Sequence, residues 1–436
     1  MADRLTMQFA RRWRMGVLAC TLTMAVLPGC ASAPVIPAAV PAAPVVAVLA
    51  TDDLPVVSFD GFAHGKLKGA AQTGGATFLA CGASMMQGTC TGGLCGGLAV
   101  FILGICTVAG GVGAATGAVL APPGGQVKAA EAGLTAAAQA QQVQEALRQH
   151  ILAAMTKQGL RTAPLEAAQA SALIQGGDFT SLADAGVGQA LVVTVTRAGT
   201  QGDGINAPVQ GYMQAHLRLV DTRDNRELLV RDIRYEGERH KILDWSADNG
   251  QPLLAMLEHA YDVLGEQAVE SAFLRYPFPD TRGHSAGQGA VAYGLAPLFP
   301  LTRGAVKPDP ILGRYLNWVK VDNLQPHMRW QAFPRDSDRR QSPDVMDRVS
   351  DVRYDLRIAR AEKDVPDAVV YARDGLAEPG HVLEVPLAAD TRYFWTVRAR
   401  FRLDGHLRVT PWSTLLPQGQ NELAAPSWLS FRFRTP

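Results

Sequence analysis

Apolar residues recur at every fourth position through Val143, Leu147, Ile151 and Met155. That spacing places them on one stripe of an α-helix, and Gly159, just past Lys157, predicts its stop. The period then changes. Leu191-Val192-Val193-Thr194-Val195, inside residues 189–197, is β-branched and continuous and predicts a largely buried strand. Residues 212–221 alternate strictly. Met213, Ala215, Leu217 and Leu219 point one way, and Gln214, His216 and Arg218 point the other. Asp221-Thr222-Arg223-Asp224-Asn225 is a turn, and residues 227–235 return as the antiparallel partner strand. Pro252 predicts the first turn of a long helix with Leu253, Leu257, Ala260, Leu264, Val269 and Phe273 on its apolar face.

Toward the carboxy terminus only the strand period remains. Met328 to Ala332 reads as one strand and Val352 to Ile358 alternates throughout. Thr391 to Phe401 is a long strand that ends at the tight turn Asp404-Gly405, and Ser430 to Phe433 closes the chain. The expected fold class is therefore multidomain, an α+β layered domain followed by an all-β sandwich.

Between Lys68 and Lys128 no residue is charged. The span is rich in glycine, alanine and aliphatic residues, and Leu94 to Leu120 is long and apolar enough to cross a bilayer. Gly93/Gly97 and Gly113/Gly117 place glycines on one helical stripe, which lets two helices approach closely. A glycine-rich apolar hairpin is the expectation, either apposed to a membrane or packed into the following domain. Cys81, Cys90, Cys95 and Cys106 lie within it and are disulfide candidates in an oxidising compartment. Their spacing matches no zinc-ligand pattern.

The amino terminus has the form of a targeting segment. Arg4, Arg11, Arg12 and Arg14 precede a largely apolar stretch of thirteen residues from Met15 to Leu27. Leu27-Pro28-Gly29-Cys30-Ala31 follows and resembles the lipobox of bacterial lipoproteins, with Pro28 a departure from its usual pattern. The resemblance implies cleavage before Cys30, lipidation of that cysteine, and, with Ala31 after it, sorting to the periplasmic face of the outer membrane. The expected organisation is a signal peptide at 1–29, a Pro/Ala-rich tether at 30–53, a first strand plus the glycine-rich hairpin at 54–127, the α+β domain at 128–275, a linker at 276–312 and the sandwich at 313–436.

Two further resemblances rest on specific residues. The buried strand, Leu219-Val220-Asp221-Thr222 at the hairpin and the long helix from Pro252 resemble the small domain of the curli-secretion lipoprotein family and the amino-terminal domain of the Tol-system propeller protein. Residues 54–59 would be that family's first strand. The uncharged insert departs from the family, whose early helix is ordinary and charged. The final domain resembles fibronectin type III, with Trp330 early, Tyr354-x-Leu356-x-Ile358 on one strand, Leu387 six residues before Tyr393, then Val397-Arg398-Ala399 and Trp412-Ser413. Tyr393 would then form a tyrosine corner.

Charge and chemistry narrow the function. The 436 residues carry 41 basic and 40 acidic side chains. Residues 1–29 hold four arginines and one aspartate, so the remainder has 37 basic and 39 acidic groups, net −2. Such balance gives no electrostatic reason for nucleic-acid binding. Gly283-His284-Ser285-Ala286-Gly287 matches the hydrolase G-x-S-x-G wording. Its flanks lack the strand and helix that expose such a serine. Asp404 and His406 lie downstream of it, inside a predicted hairpin turn. No His-Glu-x-x-His or other close metal-ligand spacing occurs, so neither a metal nor a cofactor is expected. His150, His216 and His259, and Asp351, Asp355 and Glu362, read as solvated positions. Arg392, Arg398, Arg400 and Arg402 read as an exposed sandwich face, open to an envelope protein or an anionic glycan. The expected function is a non-enzymatic, lipid-anchored envelope protein with a binding or assembly role, contacting membrane lipid through Cys30. The alternatives are a homo-oligomeric pore or secretion component that inserts the glycine-rich segment, and a serine hydrolase at Ser285.

Overall fold

The computed structural model describes residues 44–60, 123–202, 207–276, 284–286, 290–300, 318–362, 365–415 and 421–436. Cys30, Cys81, Cys90, Cys95 and Cys106 lie outside the described residues, as do residues 69–122 of the expected glycine-rich hairpin, whereas residues 124–127, expected at its end, form the first turn of a helix.

The amino-terminal sheet opens with β1 (Val46–Ala50) and β2 (Val56–Phe59). Helices α1 (Gly124–Gln139) and α2 (Val143–Lys157) follow. Then come β3 (Thr162–Ala163), α3 (Ala167–Gly176) and α4 (Thr180–Asp184). The long strands are β4 (Gln189–Gln201), β5 (Val209–Asp221) and β6 (Arg226–His240). Two helices complete the domain, α5 (Ile242–Trp245) and α6 (Ala247–Val269), and α6 runs into a π turn at Glu270–Leu274. Val143, Leu147, Ile151 and Met155 are all buried, as their spacing predicts. Asp248, Asn249 and Gly250 take positive φ inside α6, so its regular turns begin beside Pro252.

Residues 46–50, expected as tether, are instead a core strand. β1 runs parallel to both β3 and β4, and Val46 to Leu49 are buried on both faces. A run of small aliphatic residues among prolines looks like tether because neither of its faces is polar. Helices also cover both faces of the sheet rather than one. Leu191, Val193 and Val195 pack toward α1, α2 and α6, and Ala190 and Val192 pack against α3 and α4.

β1 and β2 are two halves of one interrupted strand. Both run parallel to β4, β1 along Gln189 to Val193 and β2 along Arg197 to Thr200. Residues 51–55 loop out between them, and Val195 would face empty space. Gln144 fills the gap. Its Oε1 accepts from Val195 N at 2.7 Å, and its Nε2 donates to Val195 O at 3.0 Å and to Asp53 O at 2.6 Å. The carboxamide presents the same donor and acceptor as a backbone peptide, so the ladder stays satisfied. β2 also requires Gly199, at φ +142°, where a Cβ would lie 1.9 Å from the Ser58 carbonyl oxygen.

The carboxy-terminal domain starts earlier than expected, inside the presumed linker. β7 (His284–Ala286) and β8 (Ala290–Ala292) form a hairpin, and β9 (Pro297–Phe299) is the first strand of a three-stranded sheet. After it come β10 (Val319–Lys320), β11 (His327–Trp330), β12 (Val349–Glu362), β13 (Val365–Leu376) and β14 (Gly380–Val382). The last strands are β15 (Arg392–Leu403), β16 (His406–Val409), β17 (Asn421–Leu423) and β18 (Phe431–Arg434). One sheet has the order β14-β11-β9, and the other β10-β18-β15-β12-β13 with β16 beside β15. Trp330, Leu356, Ile358, Trp395, Val397, Phe401, Phe431 and Phe433 fill the space between. Tyr393 is buried, and its Oη accepts from Ala388 N at 3.0 Å.

β17 does not join the sandwich. It pairs in parallel with β6 of the first sheet, Asn421 opposite Asp232 and Leu423 opposite Arg234.

Candidate functional site

The seam between the two domains is built from charges that the sequence places on solvated faces. β15 is the clearest case. Tyr393, Trp395, Val397, Ala399 and Phe401 face the sandwich core, as alternation predicts. Phe394, Thr396 and Arg398 face the other way and are equally buried. Arg398 is covered by the end of α6 and by Trp412. Its Nη1 meets Glu270 Oε1 at 2.6 Å and its Nε donates to Asp355 Oδ2 at 2.9 Å, while the guanidinium lies 4.4 Å from the Trp412 ring centre. Arg400 Nη2 donates to the same Asp355 oxygen at 2.9 Å, and Gly375 N donates to the other at 3.1 Å. Asp355 is thus fully buried, not solvated. Arg392 and Arg402 remain exposed, as do Asp351 and Glu362.

A second cluster ties β17 to the first domain. Glu422 is 7% exposed. Arg275 Nη1 donates to its Oε2 at 2.5 Å, Arg275 Nη2 reaches its Oε1, and Arg231 Nη1 adds a bond of 2.9 Å. Its backbone carbonyl accepts from Gln267 Nε2 at 3.0 Å. Tyr276 N donates to Val409 O at 2.8 Å and Arg408 Nη1 to Phe273 O at 2.6 Å, extending the seam along the π turn.

Burial alone would raise the carboxyls of Glu422 and Asp355. The guanidinium groups of Arg275 and Arg231 outweigh it for the first, and those of Arg398 and Arg400 for the second, so both carboxyls are held below their ordinary values. A carboxylate held down in this way is a weak base, and each is committed to arginine hydrogen bonds. The arrangement holds two domains in register and leaves no free base.

Beside these clusters lies a cleft of about 470 Å³ lined from both domains. β6 and α6 contribute Glu236, His259 and Glu266. β13 contributes Asp367 and Val369, and Trp412 and Ala424 close the far side. Six carboxylates line it against Arg357 and Arg398.

The other expected residues are dispersed. His150 pairs with Asp262 at 2.7 Å between α2 and α6, and His216 pairs with Asp232 at 2.7 Å. Ser285 sits within β7, whose chain returns as β8, so the backbone there is a hairpin and not the strand-turn-helix of a nucleophile elbow. Asp404 lies in the turn after β15 and His406 opens β16, and Asp404 pairs with Arg348. Among the described residues no group of three or more His, Cys, Asp or Glu could hold a metal ion, and no helix is long and apolar enough to cross a membrane.

No family model matches the chain, and no curated protein matches it. Among solved structures it is similar to the lipoprotein GNA1162 from Neisseria meningitidis, with 23% identity and a TM-score of 0.19 over 29% of this chain and 87% of that one.

Sequence reasoning missed the seam because Arg398 and Asp355 occupy the positions that alternation assigns to solvent. One signal was available. Tyr393-Phe394-Trp395-Thr396-Val397 has no charged residue on either parity, which marks a strand buried on both faces.

Proposed function

We propose that this chain is a lipid-anchored envelope protein with a binding and assembly role, held at the periplasmic face of the outer membrane through Cys30. The observation that carries the binding role is the seam cleft, a concave site whose walls come from two domains fixed together by β17 and two buried ion clusters. A cleft between domains with Trp412 on one wall suits recognition of a partner. The sandwich reads as fibronectin type III-like, supported by its two sheet orders and by the Tyr393 corner bond. The first domain reads as the curli-secretion and Tol type, supported by the order of buried strand, hairpin and long helix. Radiolabelled palmitate and membrane fractionation test the anchor. Wild type takes up label and sediments with membranes, whereas Cys30→Ala does neither. Label retained on Cys30→Ala overturns the reading.

One observation favours a second role, an oligomeric pore or secretion component. The uncharged residues 69–127 follow β2 and run into the first turn of α1, the position of the curli-type early helix. In that case Cys30→Ala still requires detergent for extraction, and deletion of 69–127 releases it.

A further inference from the structure

A second concavity lies on the opposite side of the first domain, where β1 ends. β1 is flanked by two parallel neighbours, and the crevice opens at its carboxyl end, the place where sheets of this kind bind small molecules. Its volume is about 420 Å³, and its walls come from the loop after β1, the start of α2 and the first half of α3. Leu54, Pro55, Val143, Leu165 and Ala170 give it an apolar lining. Leu54 stands on this wall 78% exposed, an unusual setting for a leucine on a short ordered loop.

Two features of the same loop are unsatisfied. Thr51 is 9% exposed, and its hydroxyl has no hydrogen-bond partner among the described residues. A buried hydroxyl in that state is costly unless something arrives to pair with it. Asp52 and Asp53 follow directly. Asp52 accepts from the Ser171 hydroxyl at 2.5 Å, and among the described residues neither carboxylate has a cation within ion-pair distance. Among the described residues the one cation on the wall is Arg148, which is closed in two bonds of 2.7 Å on Glu145. The start of α2 lines the crevice and would by itself attract an anion. Glu145 already occupies its first turn, and an incoming anion would meet three carboxylates.

We propose that this crevice binds a small amphipathic cation, a primary amine carrying an apolar chain. The ammonium group sits against Asp52 and Asp53 and donates to Thr51 Oγ1. The chain lies along Leu54, Pro55 and Val143. Unlike the seam cleft, the site lies wholly within the first domain, so it stands whether or not the anchoring and assembly reading holds.

The test is calorimetric titration of the full chain in lipid nanodiscs, with empty nanodiscs as blank, using n-hexylamine, n-hexanol and hexanoate as probes. Hexylamine binds about tenfold more tightly than hexanol, and hexanoate gives no binding heat. Asp52→Asn with Asp53→Asn lowers hexylamine affinity about tenfold, and Thr51→Val lowers it about threefold. Leu54→Ser, at an exposed side chain, weakens hexylamine and hexanol alike and keeps the test sound should the double variant fail to fold. Binding of hexanoate as strong as that of hexylamine overturns the proposal. So does hexylamine affinity unchanged by loss of the two aspartates, its loss in the seam-cleft variant Glu236→Gln alone, or no binding heat from any probe.

Discussion

The two sides of the seven-stranded sheet are completed by opposite means. Beside β4 the neighbouring strand is broken, and a side chain from α2 mends it: Gln144 supplies one donor and one acceptor to Val195. Beside β6 the neighbour is absent from the domain altogether, and the sandwich supplies three residues of β17 to stand there. The first repair is local and neutral. The second is distant and fixed by buried charge, with Glu422 between Arg275 and Arg231. A neutral amide can be positioned by the helix that carries it. A three-residue strand has too few ladder bonds to hold itself and needs the ion cluster.

That contrast predicts different costs when each repair is undone. Glu422→Ala has the largest expected effect, because it strands two guanidinium groups at a buried seam. Urea denaturation should show a loss of about 3–5 kcal/mol, accompanied by faster amide exchange along β6. Retained protection at residues 232–234 would show that β17 is held by its backbone alone. Gln144→Leu comes next. It keeps the volume but orphans both Val195 groups, and the expected loss is about 1–3 kcal/mol for each, with amide exchange confined to β1, β2 and β4. Because the two sites share no partner, the double variant should be additive. Any coupling would mean that the two sides of the sheet communicate.

Acid separates the two repairs more gently. Glu422 and Asp355 are both held below their ordinary values of 4.5 and 3.8. The stability they contribute is therefore fully present above those values and is lost as pH falls through the lower, folded ones. Between pH 5 and pH 2 wild type should lose stability more steeply than Glu422→Gln, and Gln144→Leu should follow the wild-type slope. The smallest effect is internal to the sandwich. Tyr393→Phe removes the bond to Ala388 N and should cost about 0.5–1.5 kcal/mol in the same urea assay, without altering exchange on β6.

Much of this fold was legible where each element declares its own period. The α2 stripe, the β5–β6 hairpin, the helix from Pro252 and the long strands of the sandwich stand where their patterns predict. What escaped depends on partners far away in the chain. β1 looked like tether because both of its faces are aliphatic. β17 is only Asn421, Glu422 and Leu423, too short to carry a period, and its role exists only once β6 is beside it. Arg398 and Asp355 looked solvated because alternation describes one buried face, and β15 has two. The crevice at the end of β1 was invisible for the same reason as β1 itself.

The donated strand also bears on the order in which the molecule can be made. A chain that is synthesised from its amino terminus presents Asp232 long before Asn421 exists. During that interval the edge of β6, with Leu228 and Val230 exposed beside it, is an open template for any other extended chain. The first domain therefore reaches its finished form only when β17 arrives. A chaperone would have to shield that edge until then, and a truncation before residue 421 would leave it permanently adhesive.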